Sequence, residues 1–116
     1  MSLRFGQVVF DCHNAAALAD FWSGVLEQPI DAGANEFFAT VGREGSGTGF
    51  MFIQVPEPRN EKNRLHVDLV GPDHETEVDR VIGLGAKRIA DFDEYGTRWT
   101  TLADPEGNVF DVGAEH

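Results

Sequence analysis

The stretch Asn63-Arg64-Leu65-His66-Val67-Asp68-Leu69-Val70 decides how this chain folds. From Leu65 onward it alternates strictly, with Leu65, Val67 and Leu69 on one side and His66, Asp68 and Val70 on the other, the period of a strand with one buried face. One face suits a core; the other carries an imidazole and a carboxylate. Gly71-Pro72-Asp73 follows as a turn ending in a helix-capping residue, and Val78, Val81, Ile82 and Leu84 then recur at helical spacing. The unit is strand, turn, helix.

The same unit occurs earlier. Sliding the sequence by 59 positions (66 − 7) lays Gln7 on His66, and the run from Gln7 to Ile30 then matches His66 to Ile89 without a gap. Val8 falls on Val67, Phe10 on Leu69, the cap Asn14 on the cap Asp73, Trp22 on Val81 and Ile30 on Ile89. Identity is low; apolar positions, caps and element lengths are what repeat. Such a period in a short chain points to a duplicated half-domain.

Length and composition bound the rest. At 116 residues, with 41% apolar and 25% charged residues, the chain is expected to be one soluble globular domain with a modest core. No apolar run approaches the roughly 20 residues of a membrane span, and the N-terminus lacks a basic-then-apolar signal pattern, so a cytoplasmic location is expected. The single Cys12 has no internal disulfide partner and alternates with Val8 and Phe10, which reads as a small buried hydrophobe. Nine Lys and Arg against twenty Asp and Glu give a formal charge of −11, which disfavours nucleic acid and anionic membranes as partners. A cationic ligand would be drawn in, although a charge of this kind also serves solubility alone.

In chain order, a strand is expected over 4–12, then a helix from His13-Asn14 whose stripe is Leu18, Phe21, Trp22, Val25 and Leu26. Pro29 to Ala32 reads as a short strand, Glu36 to Val41 as another, Gly42 to Gly47 as a hairpin loop and Thr48 to Val55 as a strand. In that last strand Phe50, Phe52 and Gln54 share a face. Pro56 to Asn63, with two prolines and a polar, charged run, reads as a linker between the repeats. After the second helix, ended by Gly85, Lys87 to Asp91 reads as a strand, Phe92 to Gly96 as a loop and Arg98 to Ala103 as a strand. Asp104-Pro105-Glu106-Gly107-Asn108 is a tight turn, and Val109 to Gly113 is the last strand. The order is βαβββ twice, in modules 4–55 and 64–114.

The duplicated order, the Asp-Pro-Glu-Gly-Asn turn before a strand ending Val109-Phe110-Asp111-Val112, and the Phe21-Trp22 pair late in the first helix resemble the vicinal oxygen chelate superfamily. Glyoxalase I, extradiol dioxygenases and bleomycin-resistance proteins belong to it, and the chain is most similar to its small glyoxalase-like members. The resemblance implies an α+β fold of two βαβββ modules whose curled mixed sheet encloses a cleft, often completed by a homodimer, with a divalent metal at the cleft's centre in the enzymes. It implies ligands from the first and last strand of each module. These positions match Gln7, His66 and Asp111, with the fourth on Phe52 or Gln54; if Phe52, a ligand is lost.

An amide oxygen, an imidazole and a carboxylate form an oxygen-rich set able to hold Mn, Fe, Ni, Zn or Mg with positions left for substrate. Glyoxalase-type isomerisation also needs a carboxylate that shuttles a proton; here that is Asp111, one methylene shorter than glutamate. A single His departs from the two-His arrangement of an extradiol dioxygenase. Asp68, Phe52, Arg98 and Trp99 are candidate substrate contacts, with Tyr95 close by in sequence. Plainer readings stand beside these. His66 and Asp68 make a simple polar pair, Trp99 a packed side chain, and His13 and His74 solvated helix starts. An isolated Asp111 in an apolar strand needs a partner in any reading. Two functions follow: a metal-dependent lyase or isomerase acting on a substrate with adjacent oxygens, or a metal-free module that sequesters a cationic ligand as bleomycin-resistance proteins do.

Overall fold

The computed structural model describes residues 6–43, 48–56, 65–94 and 96–114. The expected strand start at Arg4, residues 44–47 of the hairpin loop, residues 57–63 of the linker, Arg64 and Tyr95 lie outside these. The chain is α+β and divides into two compact units, Met1–Arg59 and Asn60–His116.

The first unit runs β1 (Gln7–Cys12), α1 (Ala15–Leu26), β2 (Phe38–Val41) and β3 (Gly49–Gln54), with sheet order β1-β3-β2. β1 and β3 are parallel, β2 and β3 antiparallel. Asn14 caps α1 through Oδ1, which accepts from the Ala17 N–H at 3.0 Å. The apolar stripe of α1 then packs Leu18, Phe21, Trp22 and Val25, all buried, onto the sheet. Its aromatic centre brings Trp22 to 5.4 Å from both Phe10 and Phe50, and Phe10 to 5.2 Å from Phe52, between ring centroids. Cys12 is buried and donates its thiol to the Ile53 carbonyl at 3.5 Å.

The expected strand over Pro29 to Ala32 contracts to a single bridge, Ile30 to Val41, flanked by bonds from Asp31 N–H to the Thr40 carbonyl and from Gly42 N–H to the Pro29 carbonyl. Pro29 has no N–H to donate, so the ladder stops there.

The second unit runs β4 (Val67–Gly71), α2 (His74–Leu84), β5 (Lys87–Glu94), β6 (Thr97–Ala103) and β7 (Val109–Ala114), in sheet order β4-β7-β6-β5. The Ile30 bridge makes the first unit's order the same, with Ile30 in the place of β5, where the 59-residue shift puts Ile89. Val78 and Val81 of α2 join Leu102, Phe110 and Val112 in the core. Ile82 and Leu84, expected in the same stripe, stay 37% and 42% exposed at its rim, and Leu65, expected on the core face, precedes β4 and is 85% exposed.

Two further expectations are corrected. Phe92 to Glu94 are not loop: β5 continues through them, pairing Phe92 with Trp99, Asp93 with Arg98 and Glu94 with Thr97. Acidic residues disfavour strands, but cross-strand partners outweigh that weak preference. His74 is not simply solvated. Its Nε2 lies 2.8 Å from Oγ1 of the fully buried Thr100, and Thr100 donates its only hydroxyl proton to Asp91 Oδ1 at 2.7 Å, so Nε2 must be the donor to Thr100. Arg88 grips the same carboxylate with two bonds, 2.7 and 3.2 Å. This chain of contacts ties the start of α2 to β5 and β6.

The β6–β7 turn is built on Asp104, which is 4% exposed. Its Oδ1 accepts from the Glu106 and Asn108 N–H groups, both at 2.9 Å, and its carboxylate also accepts from Asn108 Nδ2. Gly107 supplies the left-handed residue at φ 89°.

Replacing Asp104 by Ala should cost about 2–3 kcal/mol in urea unfolding, since it strips several partners from one buried acceptor, and Asp104→Asn should cost less. Acid should also weaken the fold. Hydrogen bonds from Arg88 and then Thr100 hold the Asp91 carboxyl below the ordinary carboxylate range, and bonds from Thr76 do the same for Asp73. In the unfolded chain both protonate near the ordinary value of about 3.9. The stability they contribute is therefore complete above that value and disappears as pH falls through their lower folded values. Asp91→Asn should flatten the decline between about pH 4 and pH 2, measured by urea midpoints across that range.

Candidate metal and ligand site

Strand alternation sorts the second sheet into two faces. Asp68 on β4 is in register with Asp111 on β7, and Asp111 with Thr101 on β6, so these three side chains share one face, opposite the face that packs Leu102, Phe110 and Val112. His66, immediately before β4, continues that face. Its Nε2 lies 3.1 Å from Asp68 Oδ1 and 3.4 Å from Asp111 Oδ2. His66 and Asp68 are open to solvent, whereas the Asp111 side chain is 19% exposed. Thr101 supplies the partner that Asp111 needs: its hydroxyl donates to Oδ1 at 2.6 Å, leaving Oδ2 turned toward His66.

One donor atom from each of His66, Asp68 and Asp111 lies within 4.8 Å of the others. Around an octahedral divalent ion with bonds of ~2.1 Å, neighbouring donors stand ~3 Å apart and opposite ones ~4.2 Å. The spacing fits such an ion with little movement, and an imidazole with two carboxylates suits Mn, Fe, Ni, Zn or Mg. The same contacts also satisfy His66 and Asp68 as a plain ion pair.

The other sequence candidates are distributed as follows. Trp99 lies on the site face, in register with Gly113, and stacks on Phe92 with ring centroids 5.2 Å apart and an interplanar angle of 16°. Arg98, one residue earlier on β6 and paired with Asp93, alternates to the opposite face. Gln7, Phe52 and Gln54 belong to the first unit. There Gln7 and Val9 share a face with Met51, while Phe52 and Gln54 lie on the face packed by α1. Phe52 is fully buried, and Gln54 donates its side-chain amide to the His13 carbonyl at 2.9 Å. Both thus lie on the face opposite the one shared by Val9 and Met51. Asp68 opposes Asp111, the 59-residue shift carries Asp68 to Val9, and Val9 opposes Met51. The first unit therefore has a thioether where the second has a carboxylate.

Thr101 and Gly113 were not among the sequence candidates. The signal was present: counting outward from the Asp104 to Asn108 turn pairs Ala103 with Val109 and hence Thr101 with Asp111.

A family model described as a glyoxalase-like domain matches residues 7–113. No curated protein matches the chain. Among solved structures, a glyoxalase/bleomycin resistance protein/dioxygenase family enzyme from Burkholderia phytofirmans is similar at a TM-score of 0.79 and 17% identity, over 97% of this chain and 98% of that one. The fosfomycin resistance protein FosX from Mesorhizobium loti is similar at 0.76 and 14%, over 100% and 95% of the two chains. A variant of FosX from Listeria monocytogenes, complexed with Mn(II) and 1S,2S-dihydroxypropylphosphonic acid, is similar at 0.78 and 11%, over 100% and 93%. At such identities the likeness is one of fold.

Thr101→Val should lower stability by about 1–2 kcal/mol in urea unfolding by leaving Asp111 Oδ1 without its donor, and Thr101→Ser should recover most of the loss.

Proposed function

Because this chain belongs to the glyoxalase-like domain family, we propose that it binds a small molecule with adjacent oxygens at a divalent metal held by His66, Asp68 and Asp111, and acts on it as a lyase or isomerase. The observation that carries this reading is the meeting of those three ligand atoms on one open sheet face. The Mn(II) and vicinal diol held by the Listeria FosX variant support it as the chemistry of a structural relative.

A bound divalent ion would polarise neighbouring substrate oxygens and favour the anion formed when an adjacent proton leaves. The chain's own groups would then divide the work. His66 and Asp68, both open to solvent, would hold the ion. Asp111, deeper and fixed through Oδ1 by Thr101, points one oxygen at the site, where it serves as ligand and as acceptor of a proton within its short reach. A metal-free reading has its own support: the His66 contacts are satisfied without an ion, and the formal charge of −11 favours a cationic guest.

Thermal unfolding of the chelator-stripped protein against Mn, Fe(II), Ni, Zn and Mg separates the two. The parent should gain roughly 2.7 kcal/mol at a hundredfold excess of the preferred metal over its Kd, and His66→Ala and Asp111→Asn should not. Absence of any shift would reject the metal reading, leaving the sequestering one, which requires affinity for a cationic ligand to fall steeply with added salt.

A further inference from the structure

Two residues along β7 from Asp111, the site face has a gap. Gly113 occupies that position, with Trp99 of β6 as its neighbour on one side and Val70 of β4 on the other. Glycine inside a strand commonly marks a bulge, a bend or a close approach by something else. Here the pairing of β7 with both neighbours runs through Gly113 without a break, and its backbone is not in the left-handed region. Among the described residues, an added Cβ would meet only the Arg98 carbonyl oxygen at 3.5 Å and Trp99 Cβ at 3.6 Å, ordinary contact distances. Neither the backbone nor the packing requires a glycine there. What its missing side chain does is leave a bare strip about 10 Å wide between the two flanking strands.

The walls of that strip are apolar and exposed. Val70 is 66% exposed, and on the far side Phe92 from β5 covers one face of the Trp99 indole in a near-parallel stack while itself 38% exposed. On the β7 side the cross-strand partner of Trp99 is Gly113, which has no side chain to set against it. Strand geometry puts this strip ~7 Å from Asp111 along β7. Oxygens on a ring's one-carbon substituent lie roughly 4–5 Å from the ring centre, and a metal–oxygen bond of ~2.1 Å covers the remainder.

We infer that Gly113, Trp99 and Val70 form a stacking slot for a single aromatic or otherwise flat ring of the substrate, extending the Phe92–Trp99 stack, and that the ring's adjacent oxygens reach His66, Asp68 and Asp111. This rests on the metal-site reading and names the substrate class for it: a ring whose substituent bears vicinal oxygens, in place of a short aliphatic molecule. Thr101 and Asp111 bound the polar end; the Trp99 face bounds the apolar end.

The test uses matched pairs. Mandelate and lactate share one chelating head, a hydroxyl beside a carboxylate, and differ by phenyl against methyl. Titrated into the Mn(II)-loaded protein by calorimetry, mandelate should bind on the order of tenfold more tightly than lactate, the size expected from one aromatic stack with its burial. Gly113→Val, which fills the strip with a strand-favouring side chain, should abolish that preference while leaving Mn(II) affinity unchanged. Trp99→Leu, an independent variant that keeps an apolar wall without the stack, should also reduce the preference. Equal affinities in the parent, binding of neither acid, or a preference retained in both variants would overturn the slot. If Mn(II) itself fails to bind, benzylamine against methylamine decides: a benzylamine preference lost in Gly113→Val keeps the slot without the metal, and no preference rejects it.

Discussion

Register between β6 and β7 is the constraint on which the rest of the second unit depends, and Asp104 sets it. A strand's side chains change face at every residue, so a slip of one position would turn Asp111 into the core and bring Phe110 and Val112 out to water. Four acceptor contacts from one buried carboxylate, together with Gly107, allow one turn geometry and so one pairing. Thr101 then meets Asp111, Trp99 meets Gly113, and Leu102 packs with Phe110 beneath them. The hydrophobic face would favour the same register, but the turn also decides which polar side chains become neighbours.

The two faces of this sheet carry separate polar systems. Behind it, His74, Thr100, Asp91 and Arg88 form a hydrogen-bonded chain, and Thr100 is fully buried within it. In front, Thr101 addresses Asp111. Consecutive threonines on β6 thus serve opposite sides, each donating its single hydroxyl proton to an aspartate. The rear system fastens the helix, which leaves the front carboxylates open for a ligand. A carboxylate with both oxygens already occupied has little left to offer an ion; Asp111 keeps one.

Periodicity revealed much of this and concealed some of it. The alternation of Leu65 to Val70, the caps Asn14 and Asp73, and the Asp104 turn are local signals, and the elements they define lie within a few residues of expectation. Where strand formation rests on a partner far along the chain, local chemistry misled. Phe92 to Glu94 read as loop, yet β6 pairs with them; Pro29 to Ala32 read as strand, yet a missing N–H limits it to one bridge. His74 found a buried threonine that no spacing rule connects to it. The alternative between Phe52 and Gln54 stays open in the sequence because the hairpin loops differ in length, whereas parallel pairing with β1 sets Met51 opposite Val9 as Asp111 is set opposite Asp68.

That last difference bears on how the two repeats diverge along one face. Both units share strand order and both present an open face along their first strand. In the first that face reads Gln7, Val9 and Met51; in the second it reads His66, Asp68 and Asp111. Carboxylates are poor strand residues and gain nothing from a half-exposed sheet unless something pairs with them. Holding two in register, with a histidine against both and a threonine dedicated to one, runs against strand preference at each position. The first unit shows that the same backbone closes without any of them. The fold therefore does not account for the acidic pair on the second face, whereas the ligand proposed for that face would.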